Sequence, residues 1–134
     1  MPYRIVDHTA DLRVIVEGNS LEHLFNEALR CLMEILFGKA MEGKPKVRRP
    51  LSVTSPDPTS LLVDFLNEAL AQSTIHREIY TGVRFKKFSK TALEAELAGR
   101  KADAFAEDIK AVTYHEAAIT ESDGVFKTKL VFDI

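Results

Sequence analysis

Two amphipathic helical runs, a second half that alternates with a period of two, and a hairpin signal near the end predict an α+β fold. The expected form is a two-layer sandwich, two helices packed on a largely antiparallel β-sheet. Leu12, Val14 and Val16 alternate with Arg13, Ile15 and Glu17, which is a strand with one buried face. Gly18-Asn19 reads as a turn and Ser20 as a helix N-cap. Leu21, Leu24, Phe25, Ala28, Leu29, Leu32, Met33 and Leu36 then recur at three- and four-residue spacing, a core helix that Gly38 can close.

Residues 39–50 are basic and broken by Gly43, Pro45 and Pro50. They read as a surface loop leading into a strand with Val47, Leu51 and Val53. Ser55-Pro56-Asp57-Pro58 is a helix start, with Asp57 as cap and Pro58 at the first helical position. Leu61, Leu62, Phe65, Leu66, Ala69 and Leu70 mark the second helix, expected to end near Thr74.

Val83, Phe85 and Lys87 alternate with Arg84, Lys86 and Phe88, again a strand. Between Leu93 and Leu97 the Ala, Glu and Leu content favours helix, whereas the period of two and the bounding Gly99 favour strand; strand is the reading taken. Residues 111–119 read as a strand. Ser122-Asp123-Gly124 reads as a hairpin turn, and residues 125–132 as the closing strand.

The chain has 134 residues, expected to form a single domain over 1–134, and 46% of them are hydrophobic, enough for a core without staples. The net charge is −2, which argues against a domain whose main task is wrapping nucleic acid, though not against a local basic patch. One cysteine, Cys31, excludes an internal disulfide and a cysteine zinc site, and it is expected to be buried and inert. No apolar leader and no run near the ~18 residues of a membrane span are visible. A cytoplasmic protein without membrane or DNA partners is expected.

Four stretches carry polar groups that a core does not need. Asp7-His8-Thr9-Ala10-Asp11 puts two carboxylates and an imidazole at a strand entrance, where they could bind a cation, do acid-base work, or only cap local backbone. The chain stops at Asp133-Ile134 directly after an apolar strand, so a side-chain and a terminal carboxylate are neighbours that need a cation or a basic group beside them. In residues 108–116, alternation sets Lys110 and His115 on opposite faces, with Lys110 at the strand mouth and Tyr114 as a half-buried packing residue. Asp64, Asn67 and Glu68 fall on the polar stripe of the second helix, a solvated face by default. Phosphate-binding glycine loops, nucleophile elbows and histidine zinc patterns are absent, and oxygen-only ligands would suit Ca²⁺ or Mg²⁺, with Mn²⁺ possible.

Asp7-His8-Thr9-Ala10-Asp11-Leu12, Leu61-Leu62-Val63-Asp64-Phe65-Leu66-Asn67-Glu68, Ile109-Lys110-Ala111-Val112-Thr113-Tyr114-His115 and the terminal Asp133-Ile134 together resemble the archease family, in family order along the whole chain. The resemblance implies a compact α/β sandwich that assists RtcB-type RNA ligases in tRNA splicing or RNA repair. Those are GTP- and metal-dependent enzymes joining 3′-phosphate or 2′,3′-cyclic phosphate ends to 5′-hydroxyl ends. It implies a non-catalytic activator that promotes ligase guanylylation and repeated turnover and meets tRNA or broken RNA only indirectly. It also implies a divalent-cation site formed by Asp11, Asp133 and the terminal carboxylate of Ile134, with Lys110 nearby. Asp7, His8 and His115 fall in matching motifs with less defined roles. Arg13 departs from the pattern, where a small residue is expected, and a long cation there could crowd the site or touch a partner.

Three other functions compete. One is a chaperone-like module for another RNA-processing enzyme such as a tRNA methyltransferase. Another is a small metal-dependent hydrolase using Asp11, Asp133 and His8. The last is direct RNA binding through the basic run from Lys39 to Arg49 and through Lys86, Lys87 and Lys90.

Overall fold

The runs with the clearest period fold as that period dictates in the computed structural model, which describes residues 2–8, 11–38 and 43–134, and of residues 5–8 the backbone alone. The elements are β1 (Tyr3–His8), β2 (Asp11–Gly18), α1 (Leu21–Phe37), β3 (Val47–Thr54), α2 (Pro58–His76), β4 (Glu78–Phe88), β5 (Ala92–Lys101), β6 (Ala111–Thr113), β7 (Thr120–Ser122) and β8 (Val125–Asp133). All strand pairings among the described residues are antiparallel. The α+β sandwich expected from the sequence is therefore the observed class. The strands divide into two sheets, one ordered β1-β2-β8-β6 with β7 on β8, the other β3-β5-β4.

Both helices start and stop where their caps sit. The Ser20 hydroxyl accepts the His23 N–H at 3.0 Å, and Gly38 closes α1 at φ 75°, donating its N–H to Glu34. The Asp57 carboxylate accepts the Ser60 N–H at 2.8 Å, with Pro58 following it. α2 runs two residues past the expected end, because Arg77 supplies the left-handed residue at φ 53° that terminates it. Leu61, Leu62, Val63, Phe65, Leu66, Ala69, Leu70 and Ser73 are all buried, an arc of roughly 200° at 100° per residue. So wide an arc needs cover from more than one side, and α2 does touch β6 of one sheet and β3 and β4 of the other. The Phe25 ring packs against Phe65, Phe85 and Phe88 with centroids 5.1–6.4 Å away, tying α1 to α2 and β4. Truncating fully buried Phe65 to Ala would cost about 3–5 kcal/mol.

Several local expectations are corrected. Tyr3–His8 is a strand that the sequence did not announce, because a register shift between Ile5 and Asp7 breaks its alternation. The basic stretch becomes strand already at Val47, with Pro50 tolerated because β3 is an edge strand. Gly99 lies inside β5 and does not bound it: a Cβ there would sit 1.9 Å from the Ile79 carbonyl oxygen, so the glycine permits close approach of β4. The strand expected over 111–119 ends at Thr113, and Glu116 turns the chain at φ 61°. The Asp123-Gly124 hairpin is as expected, with both residues at positive φ.

Candidate functional site at the chain ends

β8 is an interior strand, paired with β2 on one side and with β6 and β7 on the other. The end of the chain is therefore held, not frayed. The Lys110 N–H donates to the Asp133 carbonyl at 2.7 Å, and partly buried Ile134 packs on the core. Register does the rest. Asp11, the first residue of β2, lies directly opposite Asp133. Leu12, Val14 and Val16 are buried, so Asp11 and its partner lie on the outer face of the sheet. Directly opposed residues have Cβ atoms about 5 Å apart, so the register sets these two aspartates side by side at one corner, with Ile134 following.

The like charges are partly compensated by Arg13. Arg13 Nε lies 3.3 Å from Asp11 Oδ1, and its Nη1 lies 3.0 Å from Glu116 Oε2. Glu116 also faces Lys129 Nζ and His115 Nε2, each at 3.9 Å. A chain of contacts thus runs from the exposed His115 through Glu116 and Arg13 to Asp11. Sequence reading missed Glu116 as a member, since its placement depends on the turn that ends β6 early.

Lys110 is exposed beside Asp133, with its backbone fixed and its ammonium without a carboxylate within 4 Å among the described residues. His115 leaves the strand altogether, so the expectation of opposite faces for Lys110 and His115 does not apply. In backbone register Asp7 pairs with Arg13 and His8 with Leu12, which brings that segment to the same sheet edge. Their side chains, with Thr9 and Ala10, lie outside the described residues.

The motif in α2 is built into the structure and is not a solvated stripe. Asn67 makes a two-way bond to Val112: its amide nitrogen donates to the carbonyl at 2.7 Å and its oxygen accepts the N–H at 2.8 Å. That pair anchors the short β6 and so positions Lys110. Asp64 accepts from the Ser55 hydroxyl at 2.5 Å and from the Tyr114 hydroxyl. Tyr114, expected to be half-buried, is 57% exposed, and its hydrogen bond to Asp64 raises its pKa. Only Glu68 of the three is exposed. Cys31 is buried as expected, and burial pushes its thiol pKa up.

Elsewhere, Glu78 at the start of β4 is fully buried and was not foreseen. Arg49 grips its carboxylate with two bonds, 2.9 and 2.8 Å, Tyr80 donates at 2.9 Å and Lys101 stands 3.7 Å away. The Arg49 hydrogen bonds hold the Glu78 pKa down at about 2.

As a cation site the carboxylates of the corner supply hard oxygen donors, which suit Ca²⁺, Mg²⁺ or Mn²⁺. Among the described residues, no three His, Cys, Asp or Glu side chains converge as a ligand group. The donor set fits a hard cation in chemistry but fills only part of a shell of six or more oxygens. Among the described residues, no helix is long and apolar enough to cross a membrane.

The sequence matches the Archease protein family (MTH1598/TM1083) over residues 3–134. A protein archease of Methanosarcina barkeri is 33% identical, with 98% of this chain and 95% of the relative covered. One from Pyrococcus abyssi is 32% identical, covering 96% and 95%. The solution structure of protein 1598 from Methanobacterium thermoautotrophicum superposes with a TM-score of 0.78 at 27% identity, covering 99% of both chains. The crystal structure from Thermotoga maritima, described as an archease and possible chaperone, gives 0.68 at 25% identity, covering 96% and 94%. With the family matched from the third residue to the last and the fold shared, this chain is a member of the archease family.

Proposed function

We propose that this archease activates an RtcB-type RNA ligase, promoting its guanylylation and repeated turnover, without itself catalysing a reaction. The observation that carries the reading is the register of Asp11 against Asp133 at a clamped chain end. Arg13 offsets Asp11, while Asp133 has no basic side chain within 4 Å among the described residues and so stands open to a cation or a partner. A partly filled oxygen shell is what a cation shared between two proteins requires, the remaining ligands coming from water or the partner. Asp11, Asp133 and the Ile134 carboxylate would hold the metal, which when bound supplies positive charge for phosphate groups. Lys110, its backbone bonded to Asp133, adds a cation beside it. Arg13 holds Asp11 and Glu116 until a cation or partner claims Asp11. To activate, the domain must bind one state of the ligase better than another.

The test is a turnover assay of the cognate ligase with broken RNA, GTP and Mn²⁺, with and without this protein. Several joined products per ligase are expected with it and about one without; equal turnover in both arms rejects the proposal. Purified protein with Mn²⁺ is expected to leave phosphoesters intact, which separates the activator from a hydrolase.

A second reading follows the Thermotoga maritima relative's description as a possible chaperone. It is a binding module for another RNA-processing enzyme, and the exposed Ile75, at 73%, and Tyr114 would be its contact points. Pull-down from the native cell distinguishes the two by capturing a ligase or a methyltransferase.

A further inference from the structure

The outer face of the β3-β5-β4 sheet carries a charge pattern that the ligase-activator reading does not use. Alternation buries Leu51, Leu93, Ala95 and Leu97 on the inner face. Cross-strand pairing sets Arg48 of β3 and Arg84 and Lys87 of β4 on the outer face, with Arg100 of β5 at its end. Lys46, exposed just before β3, is tied to that end by a 2.7 Å bond from its N–H to the Gly99 carbonyl. Against these five cations stand two carboxylates, Glu94 and Glu96, on a chain whose net charge is −2. The carboxylates pair with Lys87 at 3.5 Å and Arg48 at 3.4 Å. Arg84, Arg100 and Lys46 have no carboxylate within 4 Å among the described residues.

The Arg100 end adds a second observation. Its Nε is buried and has no hydrogen-bond partner among the described residues. Arg100 lines a cavity of about 360 Å³ with Phe37, Ile79, Lys101, Asp103 and Phe105, so two cations and one carboxylate border it. An oxyanion entering this cavity would meet the charges of Arg100 and Lys101.

We propose that this face is a contact surface for the phosphate backbone of RNA, with Arg100 receiving one phosphate at its end. Phosphate rather than base contact follows from the side chains: Phe85 and Phe88 turn inward to Phe25, leaving no aromatic platform outside. Nucleic acid rather than an acidic protein follows from the same face. Its exposed positions, Arg48, Pro50, Ser52, Arg84, Lys87 and Glu94, include no large apolar or aromatic anchor of the kind protein interfaces are built around. Binding should therefore be weak, independent of sequence and steeply salt-dependent.

The test needs no ligase. Fluorescence anisotropy is measured with two labelled single-stranded RNAs of unrelated sequence, using the full-length protein. Wild type should bind both equally and lose affinity by at least about tenfold between about 50 and about 200 mM salt. Arg84→Gln with Lys87→Gln should weaken binding about tenfold and flatten the salt dependence by about one in log–log slope. Arg100→Gln should weaken it several-fold, roughly. Lys127→Gln with Lys129→Gln, on the other sheet, should change it less than about twofold. Unfolding curves check that each variant is folded. The proposal is overturned by absence of saturable binding at low salt, by equal losses in both double variants, or by a labelled poly-glutamate binding as tightly as RNA.

Discussion

Glu78 and the Asp11–Asp133 pair are carboxylate sites of opposite design. Glu78 is buried, and Arg49, Tyr80 and Lys101 surround it. Every part of that site is satisfied from within the chain, so it stabilises the junction of β3, β4 and β5 and has nothing left for a ligand. Asp11 and Asp133 face each other at the surface, with one guanidinium shared between Asp11 and Glu116. A carboxylate satisfied internally is structural. A carboxylate pair held in register by backbone pairing, with donors to spare, is available to a partner.

The contrast breaks first under substitution of Glu78. Glu78→Ala leaves Arg49 and Tyr80 without their acceptor, and should lower unfolding free energy by about 3 kcal/mol, the low end for a broken buried pair because Arg49 reaches solvent. Urea denaturation checks it; a loss no larger than that of Asp133→Asn would erase the distinction. The acid limb sharpens the same point. The folded-state pKa of Glu78 lies near 2, below the 4.5 of the unfolded chain, so its stabilisation is complete above pH 4.5 and fades as pH falls toward 2. Glu78→Gln should therefore show a flatter loss of stability over that window than wild type. A matching acid limb in both proteins contradicts the assignment.

Asn67→Ala comes next, at about 2 kcal/mol, since both backbone groups of Val112 lose their partner. Hydrogen exchange at Val112 should accelerate with it, and unchanged protection there would disconnect α2 from β6. Asp133→Asn and Asp11→Asn should be the mildest, within about 0.5 kcal/mol of wild type, because Asp133 is exposed and the part-exposed Asp11 gives up a weak ion pair with Arg13 while losing a like-charged neighbour.

Much of this was legible before folding. Ser20, Asp57-Pro58 and Gly38 announce both helices because caps act through neighbours in sequence. The Ala-Glu-Leu run of β5 was ambiguous by propensity, and the period of two decided it. What escaped was set by distant partners. Arg49 and Glu78 are 29 residues apart and only strand pairing joins them. Asn67 and Tyr114 were misjudged because their partners, Val112 and Asp64, lie 45 and 50 residues away. The acidic ends, Asp11 and Asp133, were marked by the family resemblance, while the Arg13–Glu116 bridge depended on a turn that alternation hid.

Ligase turnover with Asp11→Asn and Asp133→Asn, each first matched to wild type by its urea midpoint, addresses most directly whether the surface corner is the working part of the molecule. Stimulation should vanish in both while stability stays put. Stimulation at wild-type level from two folded, carboxylate-deleted proteins would mean that the corner is ornament and the ligase is engaged elsewhere.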